Sequence, residues 1–434
     1  MSAMKTNLLP CIFSLLVLTM VPGTMGAQES ETNDDTKTAA ASSSTGGDYW
    51  HMPNRIFELG IDVDAGFGNT VMKIGDVFNI HKTLLVDLST LGPGEFYAGG
   101  NAAVSAFLNL NIGKDLSFGI FAGVQMDGFQ SGPKEFTDLL RKGNARTKSV
   151  NVDLSAGGSV FADAGIRATA QIKKLHLTLK PAAYSPLIYV PPPDINFDLS
   201  MDDSSMALRG LIGMDVYSAF PLNDLIQGSN TGNIADFVPD PIPLGFDMTL
   251  EGVYSLLPAL DLGLGITNLP LFPAKLRYRM RQETSMVGEW SDMYSALTNG
   301  DFDMPGITTE AYYEDDAAFW AFRPLRFDFF VLYRPVEIDL FVFRPHIGFS
   351  VLTIHGYDTA CFNAGLDGQI NIANVFSLSL GTGYMEHMWK HAFGIRLNFR
   401  AIELDAEISL RGPDFVNSFK GRGLGANLGI RLGF

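Results

Sequence analysis

The chain has 434 residues and a formal charge of −16, which excludes recognition of nucleic acid, because phosphate binding needs a basic footprint. Charged residues make up 18% and hydrophobic ones 46%, with 45 Gly and 32 Phe, whereas soluble domains carry roughly 25% charged residues. Such a chain either buries a large core or turns apolar surface toward lipid.

The N-terminus reads as an export signal. Lys5 supplies the positive charge, Cys11 to Val21 (CIFSLLVLTMV) the short apolar core, and Pro22 to Ala27 small residues around a cut after Gly26 or Ala27. The core is shorter than the ~20 residues a spanning helix takes. Residues 1–27 form the predicted signal peptide and carry one charge, Lys5, so the mature chain is at −16 − 1 = −17. Of the two cysteines only Cys361 then remains, so no intramolecular disulfide forms in the mature chain. Residues 28–55 follow as a low-complexity periplasmic leader, acidic and rich in Ser, Thr and Ala, with no apolar periodicity.

From residue 56 to 434 the chain alternates with period two, the mark of half-buried strands. Phe57, Leu59, Ile61, Val63, Ala65 and Phe67 interleave with Glu58, Gly60, Asp62, Asp64 and Gly66. After the second run (102–112) and a Gly113-Lys114-Asp115 turn, the pattern resumes at 116–126. Further runs lie at 159–171, 174–184, 206–218, 245–254, 260–267, 274–281, 325–334, 336–350, 362–371, 376–385, 392–399, 402–411 and 424–434, giving sixteen in all. Most have 9–13 residues. A tilted lipid-spanning strand takes about 9–11, against a mode of about 5–6 in soluble sheets. Short turns (113–115, 172–174, 255–259, 335, 372–375, 400–401) alternate with long connections (127–150, 185–205, 282–324, 411–423). Only a closed barrel lets strands satisfy their backbone in lipid, and one-sided loop length is typical of outer-membrane barrels. The predicted fold class is therefore all-β, a single outer-membrane β-barrel domain over 56–434. About fourteen antiparallel strands are expected, sixteen at most, because the long connection 220–244 falls where a short turn is due.

Several segments carry functional expectations. Aromatics near run ends (Tyr184, Tyr189, Tyr217, Phe220, Tyr278, Tyr333, Tyr384, Trp389) suggest interfacial girdles. Residues 68–100 are apolar without alternation, and Phe78, Ile80, Leu84 and Leu85 need cover. They make either a plug in the lumen or a loop packed on itself. In 325–343 the inward set reads Arg326, Asp328, Phe330, Leu332 and Arg334, then Glu337, Asp339, Phe341 and Phe343. Phe330, Leu332, Phe341 and Phe343 are thus candidates for lining an apolar path. Lys275, Arg277, Arg279 and Arg281 form a cationic ladder, suited to an anionic headgroup or to cross-strand pairing with acids. No nucleophile elbow, phosphate loop, zinc-protease motif or dinucleotide fingerprint occurs, so neither an enzyme nor a cofactor or metal site is predicted. His387 and His391 fall in a predicted loop.

The signal, the strand ladder over 56–434, the apolar insertion after the first strand and the ending LGANLGIRLGF together resemble the FadL-like outer-membrane transporters of diderm bacteria. The resemblance implies a barrel of fourteen strands around an N-terminal hatch, passing long-chain fatty acids or other hydrophobic nutrients passively. It also implies outer-membrane lipids and a hydrophobic small molecule as partners. A general diffusion porin and a surface-binding adhesin barrel are the alternatives. The terminal Phe434 resembles the signal read by barrel-assembly machinery. Deleting it is expected to lower the yield of heat-modifiable, protease-resistant barrel in membranes, and an unchanged yield removes that role.

Overall fold

The computed structural model describes residues 55–71, 95–112, 115–135, 137–138, 149–151, 155–201, 206–221, 241–290, 308–335, 340–351, 360–372, 375–385, 388–399 and 401–433. The predicted signal and leader, the plug candidates Phe78, Ile80, Leu84 and Leu85, and Phe434 lie outside these residues.

In chain order the strands are β1 (Phe57–Asn69), β2 (Phe96–Ile112), β3 (Leu116–Gly132), β4 (Ser149–Asn151), β5 (Ser155–Ile172), β6 (Leu175–Val190) and β7 (Asp194–Met201). Next come β8 (Met206–Ser218), β9 (Gly245–Leu257), β10 (Leu260–Phe272), β11 (Ala274–Leu276), β12 (Tyr278–Trp290), β13 (Thr308–Glu314) and β14 (Phe319–Ala321). The last seven are β15 (Leu325–Tyr333), β16 (Phe341–Val351), β17 (Ala360–Ile372), β18 (Phe376–Met385), β19 (Met388–Asn398), β20 (Ile402–Gly412) and β21 (Gly423–Gly433).

Fourteen of them pair antiparallel in a ring: β1, β2, β3, β5, β6, β9, β10, β15, β16, β17, β18, β19, β20, β21 and back to β1. Closure runs from Glu58 opposite Gly433 to Gly68 opposite Gly423, which removes the free edges an open sheet would expose. The start of β1 and the end of β21 meet at one rim, the terminus rim. There the connections are brief: 113–115, 173–174, 258–259, 334–340, 373–375 and 399–401. The strand ends at the far rim are joined in sequence by 70–95, 133–154, 191–244, 273–324, 352–359, 386–387 and 413–422.

Two alternating runs, 206–218 and 274–281, are not wall strands. β8 pairs with β7 and β12, which carries β13, so that β4, β7, β8, β12 and β13 extend beyond the far rim. The run 274–281 splits at Arg277 into β11 and the start of β12, and β11 pairs with β14 in a separate two-stranded sheet. A water-exposed sheet alternates as a barrel wall does, so only pairing separates sixteen runs from fourteen wall strands.

The wall is inside-out relative to a soluble sheet. On β21 Leu424, Leu428 and Ile430 are exposed, whereas Asn427 and Arg431 are buried in the lumen. On β1 Glu58, Asp62 and Asp64 point inward. An outward apolar face against lipid and an inward polar face is the arrangement of a membrane-spanning barrel. At the terminus rim Arg55 reaches Glu58 at 3.6 Å and Glu403 at 3.7 Å, tying the entering chain to the closing seam.

At the far rim the 413–422 turn folds onto the outer wall. The Asp414 carboxylate accepts the backbone N–H of Asn417 (2.8 Å), the Asn417 side-chain amide (2.5 Å) and the N–H of Val416 (3.1 Å). These bonds hold its acid below the usual aspartate range. Phe415 and Phe419 are exposed and pack with Trp389 and His391, which makes an aromatic belt here. His391 is stacked on Phe419 (4.2 Å between centroids) and bonded to the Thr382 hydroxyl (2.9 Å); His387 lies outside the described residues.

Leu428, mid-strand on the lipid face, gives a direct test. Leu428→Arg is expected to cost about 2–4 kcal/mol if it sits at the bilayer midplane, read as a lower denaturant midpoint in vesicles. The inward change Asn427→Ser is expected to cost far less.

Candidate functional site

The lumen has two chemically different sides. Along β19, β20, β21 and β1 the inward positions carry paired charges. Arg431 Nη1 lies 2.7 Å from Glu403 Oε1, Arg396 Nη2 2.5 Å from Asp405 Oδ2, and Lys390 Nζ 2.8 Å from Glu407 Oε1. Glycines at the inward positions Gly425, Gly429 and Gly433 leave room for these long side chains: a Cβ at Gly429 would run into Asp62, and one at Gly433 into Arg55.

Toward the far-rim ends of β3, β5 and β6 the inward face carries a group of aromatics. Phe129, Phe161, Tyr184 and Tyr189 are buried there, with Tyr97, Tyr217 and Phe220 packed beside them. Tyr184 and Tyr189 therefore do not belong to an interfacial girdle. Their inward aim depends on a register shift: Phe161 pairs with Pro186 and Val160 with Ile188, so the extra residue Leu187 switches the phase of β6. Even-numbered Tyr184 and odd-numbered Tyr189 then share one face.

A strap made of β11 and β14 covers this aromatic wall. Ala274, Leu276 and Ala321 are fully buried against it, and Phe319 stacks on Tyr217 (centroids 4.1 Å, planes 20° apart) and leans on Tyr189 (4.9 Å). The opposite face carries Lys275 and, directly across from it, exposed Trp320. The Tyr184 hydroxyl shares its one hydrogen between the carbonyls of Ala321 on the strap (3.1 Å) and Phe272 at the end of β10 (3.2 Å).

Arg323 fixes the strap from its far end. Its guanidinium donates twice to Asp247 on β9 (2.7 Å each) and once to Asp163 on β5 (2.5 Å), and lies over the Tyr184 ring at 5.4 Å. All three charged side chains are at most 4% exposed. Bidentate Arg–carboxylate geometry in such burial is strong and direction-specific. Because 322–324 turns inward, β15 last pairs with β10 at Thr267 opposite Arg326. Above that point, among the described residues, β10 pairs only with β9. Asn268 makes the bend at φ 57°, with its side-chain amide donating to the Pro324 carbonyl at 3.0 Å. The wall is thus notched beside Leu271 and Phe272, both exposed.

The predicted site residues distribute as follows. Phe330 and Leu332 face the lumen, buried with Val253 and Val342, and Arg344 lies over the Phe330 ring at 4.3 Å. Phe341 and Phe343 do not face it. On β16 the buried positions are Val342, His346 and Ser350, while Phe343 is exposed on the outer wall. The inward phase is even-numbered on both β15 and β16, and a one-residue phase error turns every side chain to the other face. Of 68–100, Gly68 and Asn69 end β1 and 96–100 begin β2, so these parts are wall rather than plug. Arg279 is held by Asp215 at 3.0 Å and Glu314 at 3.4 Å, and Arg281 by Glu283 at 2.7 Å, in the outer extension. Arg277 reaches Asp316 at 3.9 Å with both side chains exposed. The ladder is therefore split: Lys275 stays on the strap and the arginines meet acids. Arg323, Asp163, Asp247 and the aromatic recess were not predicted from sequence; a lone Arg in the apolar stretch FWAFRPLRF, Phe319 to Phe327, is the trace they leave.

No family model and no curated protein matches the chain. Among solved structures it is similar to the toluene transporter TodX of P. putida, at 10% identity over 88% of this chain and 91% of that one, TM-score 0.45. It is also similar to the CymD monoaromatic hydrocarbon channel (7%, 88% and 89%, TM-score 0.41) and to a FadL homologue of Pseudomonas aeruginosa (10%, 87% and 90%, TM-score 0.37).

A Cβ added at Gly245 would run into the Tyr184 ring. Gly245→Val is therefore expected to displace Tyr184 and cost about 1–3 kcal/mol by overpacking, visible as a loss of near-ultraviolet circular dichroism with far-ultraviolet signal retained.

Proposed function

We propose that this barrel is an outer-membrane channel for passive uptake of hydrophobic small molecules, long-chain fatty acids among them. The observation that carries this reading is the inward-facing aromatic recess of Phe129, Phe161, Tyr184 and Tyr189 inside a wall whose outer face is already apolar. Lumen aromatics in a membrane barrel serve no lipid contact, and binding sites for apolar molecules are concave and aromatic-lined. The wall notch beside Leu271 and Phe272 adjoins that recess through the strap and offers a sideways path toward lipid. Phe330 and Leu332 form a second, separate apolar cluster in the lumen with Val253 and Val342. An acid cargo would find Lys275 on the uncovered face of the strap, whereas Asp316 meets Arg277 and Asp215 holds Arg279.

The charge-paired side along β19 to β1 favours a second reading, a general diffusion porin, whose lumen is polar throughout. The two separate cleanly. Reconstituted protein is expected to speed entry of a labelled long-chain fatty acid into liposomes, and native mass spectrometry of purified barrel to find bound apolar molecules. Large, stable ion conductance without either result would instead establish the porin.

A further inference from the structure

The sheet that extends beyond the far rim ends on a bare strand. β13, TTEAYYE, pairs with β12 from Arg279 opposite Glu314 to Ser285 opposite Thr308, without a bulge. Among the described residues no strand lies on its other side. All seven of its residues are exposed, Tyr312 at 50% and Tyr313 at 44%. Proteins usually blunt such an edge with Lys, Pro, a bulge or a covering segment. β13 holds neither Lys nor Pro, and its Thr and Tyr residues favour a strand. Its open edge lies on the side of the long connections, which in outer-membrane barrels faces outward.

The charge of this edge is unbalanced. Glu310, Tyr312 and Glu314 are alternate residues and share one face. Glu314 meets Arg279 at 3.4 Å, but Glu310 stands directly opposite Glu283. Arg281 already neutralises Glu283 at 2.7 Å, and Glu310 accepts only the Tyr312 hydroxyl, so among the described residues no cation meets it. Like charges directly opposite destabilise paired strands, and opposite charges stabilise them. Exposed Asp315 and Asp316 follow at the strand's end.

We propose that the open edge of β13 is a β-augmentation site for an extended basic segment of another protein, with Lys or Arg four residues apart to lie across from Glu310 and Glu314. Main-chain hydrogen bonds supply the affinity and the acids select the partner. A second copy of this chain is disfavoured, because it brings the same acids to an acidic edge in a chain of formal charge −16. The site is independent of what the lumen carries.

The test uses full-length barrel in nanodiscs and a fluorescent Val-Lys-Thr-Tyr-Thr-Lys-Val peptide, read by polarisation, with hydrogen exchange to map the contact. Binding is expected to weaken with salt and to protect 308–314. Neighbouring strand residues aim their N–H groups at opposite edges, so one of Ala311→Pro and Tyr312→Pro blocks the open edge and keeps the ladder to β12. That variant, recognised by unchanged exchange in β12, is expected to abolish binding. Glu310→Gln with Glu314→Gln is expected to weaken it about two- to thirtyfold, the loss of two opposite-charge pairs across strands. No binding at millimolar peptide, equal binding of the peptide with Glu in place of Lys, or full binding in both proline variants overturns the site. Should neither proline variant assemble, the glutamine pair decides, and unchanged affinity overturns it. A dimer of the barrel that the edge-blocking proline abolishes makes the edge an interface between copies and overturns the basic partner.

Discussion

Everything in this molecule depends on the need to satisfy backbone hydrogen bonds where no water is available. A sheet in lipid has no tolerable edge, so the pairing of β1 with β21 conditions all other features. Closure gives each strand an inner and an outer face and, with an even number of antiparallel strands, brings the start of β1 and the end of β21 to the same rim. It also explains why the outer residues are so apolar in a chain with a formal charge of −16. The charge is carried by the lumen, the rims and the segments outside the wall.

Inside the wall, the charged side and the aromatic side solve the same problem differently. A carboxylate in a confined lumen is tolerable when a guanidinium or ammonium group meets it. The charged strands pair Glu403, Asp405 and Glu407 with Arg431, Arg396 and Lys390 across neighbouring strands. Inward glycines admit those long side chains, so the small residues and the charges are one design. On the other side bulky rings fill the space, and the strap completes the cover that solvent would otherwise have to supply. Arg323 joins the two logics, an ion cluster placed within an aromatic wall.

The departure of β15 from β10 links fold to function. Wall and strap compete for the same stretch of chain: residues 322–324 turn inward, so they cannot extend the wall. The inward turn that brings Arg323 to Asp163 and Asp247 therefore notches the barrel beside Leu271 and Phe272. A covered recess and a gap in the wall arise from one inward turn at 322–324, which Asn268 on β10, in the left-handed backbone that suits a short polar side chain, fastens through its amide to the Pro324 carbonyl.

The sequence by itself determined the class of fold, the closing strand and the inner or outer face of most residues, because alternation with period two is a local property that pairing partners inherit. It also made the terminus-rim turns legible, since short turns need few residues and leave little freedom. Tertiary structure alone decided which alternating runs form the wall, because β8 alternates in the outer sheet as β10 does in the wall. It alone set the phase of β16, which moved Phe341 and Phe343 outward, since alternation within one strand does not fix the phase of the next. The recess and the Arg323 cluster were illegible for the same physical reason. Phe161, Tyr184, Tyr189, Phe319 and Arg323 lie on segments distant in sequence, and what brings them together is barrel closure, a one-residue bulge and an inward bend, none of which any local pattern records.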